Sequence, residues 1–109
     1  MTDRTTLLAL AERVEAATSG CRKLDAEICS RLFGRSIGVS RYTFNIDAAL
    51  SLVPSGCFGA QVSSHTDCTG GATCWDSRGN PYSVNAATPA LALTAACLRA
   101  RAMLEQDNG

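Results

Sequence analysis

The stretch "ATPALALTAACLRARA", residues 87–102, decides the fold of this chain, because it predicts a helix that is apolar on more than one face. Thr88 is a good N-cap residue and Pro89 suits the first helical position, and strong helix formers follow. One apolar face comprises Leu91, Ala95, Leu98 and Ala102, and a second face beside it comprises Leu93, Ala96, Cys97, Ala100 and Leu104. A surface helix needs only one such face. The second face therefore needs a partner of its own.

The second apolar face predicts self-association. One face can cover the chain's own sheet while the other meets a second copy, which predicts a homo-oligomer, at least a dimer. Ten basic and ten acidic residues give a formal net charge of zero, so charge does not keep identical chains apart. If this face is the contact, the substitution Leu93→Glu should dissociate the assembly.

Length and composition are those of one globular domain. The chain has 109 residues, 46% hydrophobic and 18% charged, and we expect a single domain over residues 1–109. The zero net charge offers no broad electrostatic surface, so neither nucleic acid nor a membrane is expected as a partner. The N-terminal apolar cluster is too short for a signal peptide, and no window is apolar enough to span a membrane. We expect a cytoplasmic protein with reduced thiols.

The first half of the chain predicts helices. Apolar spacing favours one helix over residues 4–18 and another over about 22–32, which ends at Gly34. A short extended piece, Tyr42 to Phe44, should lead into a brief helix with Asn45 as its cap.

The second half predicts strands followed by the long helix. From Cys57 the apolar period changes to two, with Phe58, Ala60 and Val62 on one side. Gly59, Gln61 and Ser63 lie on the other side. Further strands are expected over 72–76 and 81–85, joined by a hairpin turn. These elements predict an α+β fold, with a small antiparallel sheet packed between the N-terminal helices and a long C-terminal helix.

Two kinds of chemistry are weakly supported. The soft ligands Cys57, His65, Cys68 and Cys74 are separated by seven, two and five residues, which is not the paired spacing of a structural zinc site. His65 is the single histidine and could activate Cys68 or Ser64, but it has no visible orienting partner. We expect no metal, no cofactor and no enzymatic activity. A thiol or metal protein built on Cys57, His65, Cys68 and Cys74 is an alternative.

The remaining candidates are ligand-binding residues, here called the binding constellation: Trp75, Arg78, Asn85, Arg99 and Arg101. An aromatic face can stack on a base, guanidinium groups can hold phosphate, and an amide can bind ribose or a base edge. These residues predict a nucleotide site.

Three segments carry a resemblance to a known family: "LDAEI" (24–28), "YTFNIDAALSLVP" (42–54) and "ATPALALTAACLRARA" (87–102). Together they resemble small phage and prophage proteins with the phage ABA sandwich domain. Within that group the chain is similar to the first family of Thoeris anti-defence proteins. Those are phage-encoded sponges that sequester cyclic ADP-ribose isomers made by host TIR enzymes, and some also hold cyclic oligonucleotides, without hydrolysing them.

The resemblance implies a site, a location and an assembly. In that family an aromatic and an asparagine from the hairpin region and arginines of the last helix line the pocket, which implies Trp75, Asn85, Arg99 and Arg101 here. It implies a phage protein acting as an oligomer in the host cytoplasm. The cysteine-rich segment 57–74 departs from the family pattern. The alternative function is a non-catalytic structural or interaction protein of the same fold, with no small-molecule ligand.

The two arginines of the last helix should have different roles. Arg99 and Arg101 are about 200° apart around an ideal helix. We expect Arg101 to hold a phosphate, and Arg99 to brace a carboxylate or an interface.

Overall fold

In the computed structural model of the protein, the described residues are 4–34, 39–52, 59–64, 70–75 and 81–108. They form, in order, α1 (Arg4–Ala16), α2 (Arg22–Phe33), α3 (Ile46–Leu50), β1 (Gly59–Ser64), β2 (Gly70–Trp75), β3 (Pro81–Ala86) and α4 (Pro89–Asn108). The strands of these segments pair in an antiparallel sheet of order β1-β2-β3, which packs against α4. The predicted α+β class is confirmed.

The first half of the long helix α4 is buried on all sides within one chain. Every residue from Ala90 to Leu98 is buried. The reason is that β2 and β3 contact α4 on one side, while α1 and α3 contact it elsewhere around its circumference. The order of layers therefore differs from the expected one, since α4 lies between the sheet and α1. Our interpretation of its second apolar face as a contact with another copy is wrong, because the described side chains of that face are fully buried within one chain, namely Leu93, Ala96, Cys97 and Ala100.

The ends of the helices follow the sequence signals. Helix α4 begins at Pro89, and the Leu91 amide donates to the Thr88 side-chain oxygen at 3.2 Å, so Thr88 is the predicted N-cap. Helix α2 ends at Gly34, whose φ of 69° is the left-handed conformation that glycine adopts without strain.

The Thr88 cap can be tested against a matched position. The substitution Thr88→Ala should lower the free energy of unfolding by about 1 kcal/mol, because the Leu91 amide loses its acceptor. Asn45 holds the same position before α3 but makes no side-chain cap hydrogen bond. Asn45→Ala should therefore change stability by less than about 0.5 kcal/mol. Urea denaturation of both variants decides the point, and equal losses would contradict it.

The segment before α3 is a turn. Sequence predicted an extended piece from Tyr42 to Phe44, and this prediction is wrong. The amides of Phe44 and Asn45 both donate to the Arg41 carbonyl, at 3.1 and 2.9 Å, which closes the turn. The turn is held to α4, where the Thr94 hydroxyl donates to the Tyr42 carbonyl at 2.8 Å.

A buried carboxylate fixes this turn to α2. Asp25 is fully buried, and its Oδ1 accepts from the Thr43 amide at 2.9 Å and from the Thr43 hydroxyl at 2.8 Å. Its other oxygen accepts from the Arg22 guanidinium at 3.1 Å. The Cys21 amide in turn donates to the Thr43 hydroxyl oxygen at 2.8 Å. Such a satisfied polar cluster fixes one arrangement of the elements it joins.

Strand β2 begins earlier than predicted. Gly70 and Gly71 belong to the strand, although their composition had suggested a loop. A Cβ at Gly70 would lie 2.4 Å from the backbone N and Cα of Pro89. The start of α4 therefore approaches β2 so closely that only glycine fits there.

Candidate functional site

The side of the sheet that faces away from α4 contains two of the predicted site residues, Trp75 and Asn85. Strand alternation turns Ala72, Cys74, Val84 and Ala86 towards α4, and all of them are buried. The side chains on the opposite side, here called the outer sheet face, belong to Gln61, Thr73, Trp75, Ser83 and Asn85. No described helix packs on that face. The alternation predicted for β1 is confirmed, with Ala60 and Val62 half-buried and Gln61 exposed.

Two residues of the predicted site share this face but lie at its opposite ends. Trp75 pairs with Pro81, whereas Asn85 pairs with Gly71. A separation of four residues along β3 corresponds to about 14 Å at the usual strand rise. Trp75 is half-buried and Asn85 is exposed. Both are accessible from the outer sheet face, and a ligand would have to extend along the strands to contact both.

Small polar side chains lie between these two residues. The hydroxyls of Thr73 and Ser83, on adjacent strands, are 2.9 Å apart and hydrogen-bonded. Beside them, Gln61 pairs with Thr73 across β1 and β2. The three strands contain no charged residue over their described lengths. The outer sheet face is therefore neutral, with one aromatic ring and a band of hydroxyl and amide groups.

Arg99 is directed towards α1. Its Nε donates to Glu15 Oε2 of α1 at 2.9 Å, and its Nη2 also contacts that oxygen. The two side chains are about one-third exposed, at 32% and 28%. This agrees with the expectation that Arg99 braces a carboxylate, and the carboxylate belongs to the same chain.

Arg101 is directed towards the end of α3. Its Nε donates to the Leu52 carbonyl at 2.8 Å, so part of its guanidinium binds the protein's own backbone. Arg99 and Arg101 thus engage different elements, as their angular separation predicted. Within one chain, the structure does not bring either arginine to the outer sheet face with Trp75 and Asn85.

Other predicted residues lie outside the described segments. These are Arg78 of the binding constellation and Cys57, His65 and Cys68 of the candidate metal or thiol site. Cys74 is described, and it is buried beneath the sheet on the α4 side. The described residues contain no cluster of three His, Cys, Asp or Glu side chains that could hold a metal ion.

Sequence reasoning missed a shallow groove at the start of α4. The groove encloses about 280 Å³, and its walls are formed by Ser19, Gly20, Thr43, Phe44, Ile46, Thr88, Pro89 and Ala90. Phe44 is 43% exposed, and the Arg41 guanidinium lies 5.7 Å from the centre of its ring. The signal in the sequence was the pair of apolar residues Phe44 and Ile46, which the sequence alone cannot distinguish from core residues.

Comparisons with known proteins give no information about the family or the candidate site. No protein-family model, curated protein or solved structure matches the chain. The resemblance to the sponge family therefore stays a prediction. Over the described residues, no helix has the length and apolar character needed to cross a membrane.

Proposed function

We propose that this protein binds and sequesters a nucleotide immune signal, a cyclic ADP-ribose isomer or a cyclic oligonucleotide, without cleaving it. In this proposal it is a phage-derived anti-defence protein of the host cytoplasm. The observation that carries the proposal is the outer sheet face, where Trp75 and Asn85 are both accessible and which no described element covers. These are two of the residues that the family resemblance implies for the pocket.

The chemistry of the outer sheet face suits the neutral parts of a nucleotide. The Trp75 ring offers a stacking surface for a base, and hydroxyl and amide groups can bind ribose and base edges. Phosphate needs a cation, and the described strands have none. We assign that role to Arg78, which follows Trp75 by three residues in the sequence. Arg99 and Arg101 bind Glu15 and the Leu52 carbonyl instead.

Calorimetry with a cyclic ADP-ribose isomer tests the proposal. Trp75→Ala should weaken binding by about tenfold or more, since loss of one base-aromatic stack costs roughly 1–3 kcal/mol. Phe44→Ala is the matched control, because it removes an exposed aromatic ring that lies outside the sheet. The ligand released after long incubation and denaturation should be intact.

The outcomes distinguish where the ligand binds and whether the protein cleaves it. Equal binding by wild type and Trp75→Ala would show that the outer sheet face is not the site. A cleaved ligand would show that the protein is an enzyme. If Arg101→Ala weakens ligand binding and Trp75→Ala does not, the binding site lies at the last helix.

A second candidate function is a non-catalytic structural or interaction protein of the same fold. It is favoured by the exposed apolar side chains of Phe44, Ile46 and Leu50, which are 43%, 40% and 45% accessible within one short segment. Such clustering of large apolar groups is typical of protein contact sites. Failure of every cyclic nucleotide to bind the wild-type protein would favour this function.

A further inference from the structure

Strand β1 is an edge strand whose outer side is open in the described structure. It pairs with β2 on one side, and among the described helices α4 packs on its face. An open edge presents unpaired backbone donors and acceptors, which can pair with another strand. Proteins usually protect such edges with charged side chains, proline or bulges.

The β1 edge has none of these protections over its described length. Its sequence, GAQVSS, contains no charged residue and no proline, and its pairing with β2 is continuous from Gly59 to Ser64. The other edge strand, β3, differs in two respects. It begins with Pro81, which cannot donate a backbone hydrogen bond, and α1 contacts it. Of the two edges, β1 is the one suited to pairing.

The inner side of β1 is also incompletely covered. Ala60 and Val62 face the α4 layer but are only half-buried. The reason is that α4 packs mainly over β2 and β3. The strand therefore offers an unpaired backbone edge together with a short apolar strip along the same margin of the domain.

We propose that two copies of this chain pair through their β1 edges, antiparallel and related by a two-fold axis perpendicular to the sheet. The axis keeps Gln61 of both copies on the outer sheet face and brings the half-buried Ala60 and Val62 of both copies together on the inner side. A second copy is the favoured occupant because the edge matches itself in polar and apolar alternation and has no charge to repel its image.

This interface differs from the one that the sequence suggested. The sequence pointed to α4, which is covered within the chain, whereas the β1 pairing uses an edge that the fold leaves open. It makes the outer faces of two sheets continuous. A pair of six-residue strands forms a small interface, so the dimer should dissociate on dilution.

Sedimentation velocity over a range of protein concentrations tests the pairing. The wild-type protein should convert from monomer to dimer as its concentration rises. Gln61→Lys places like charges next to each other across the two-fold axis and should raise the dissociation constant at least tenfold. Ser83→Lys is the matched control, because it adds the same charge at an exposed position of the outer sheet face on β3. Ser83→Lys should dimerise like wild type.

Amide hydrogen exchange gives a second, independent measurement. Backbone amides of β1 should exchange more slowly at high than at low protein concentration, and those of β3 should not change. Circular dichroism checks that both lysine variants are folded. A wild-type protein that stays monomeric at high concentration, or a dimer that Gln61→Lys leaves intact, would overturn the proposal. Dissociation by Ser83→Lys alone would assign the pairing to β3 and overturn it equally.

Discussion

The substitution Leu93→Glu is expected to unfold the protein at room temperature. Leu93 is fully buried in α4, at a level of the helix where the sheet and the helices α1 and α3 leave no solvent-exposed side. Truncating a buried leucine alone costs about 2–5 kcal/mol, and burying an unpaired charge adds several more. Their sum is comparable with a domain's whole stability of about 5–15 kcal/mol.

The control for this prediction is the same chemical change on the surface. Leu50 is 45% exposed at the end of α3, so Leu50→Glu should alter the free energy of unfolding by less than about 0.5 kcal/mol. Far-ultraviolet circular dichroism and urea denaturation of the variants give the comparison. A Leu93→Glu protein that is folded and monomeric, beside a wild-type oligomer, would instead restore α4 as the contact between copies.

The substitution Asp25→Ala is expected to produce the second-largest loss of stability, about 3 kcal/mol. It leaves the buried Thr43 amide without its acceptor, and each unsatisfied buried donor costs roughly 1–3 kcal/mol. The Thr43 hydroxyl can turn to the Cys21 carbonyl, 3.2 Å away, which limits the damage. Arg22 is about half exposed and regains water. Most of the lost stability comes from the unsatisfied Thr43 amide and from the turn at Tyr42 to Phe44, which is no longer fixed to α2.

Two variants check this assignment by thermal and urea denaturation. Asp25→Asn retains an acceptor for the Thr43 amide, so it should lose less than half as much stability as Asp25→Ala. Asp47→Asn changes an exposed carboxylate of α3 and should have almost no effect. If Asp25→Ala unfolds at nearly the wild-type urea concentration, the hydrogen bonds to Thr43 do not hold the turn.

Local signals in the sequence predicted local structure well. Thr88 and Pro89 set the start of α4, Gly34 ends α2, and alternation assigned the two sides of β1. Each of these features depends on the backbone conformation of a few neighbouring residues. Periodicity also showed that α4 is apolar on more than one side, but it cannot tell whether the covering surface comes from the same chain or from another.

Longer-range features escaped prediction because they depend on residues distant in the sequence. The turn at Tyr42 to Phe44 is tied to Asp25, 18 residues before Thr43, and the strand position of Gly70 reflects the approach of Pro89. The candidate site also has one feature that local sequence predicts and another that depends on distant residues. Alternation is enough to put Trp75 and Asn85 on one face, whereas the partners of Arg99 and Arg101 lie on α1 and just after α3.

The order of elements along the chain has a consequence for synthesis on the ribosome. The central element of the fold, α4, is also the last of the described elements. Until residues 89–102 leave the exit tunnel, the inner sides of α1 and the sheet have no apolar surface to cover them. The domain therefore completes its core only after α4 has emerged, and a nascent chain that stalls before Pro89 exposes those surfaces to chaperones and proteases.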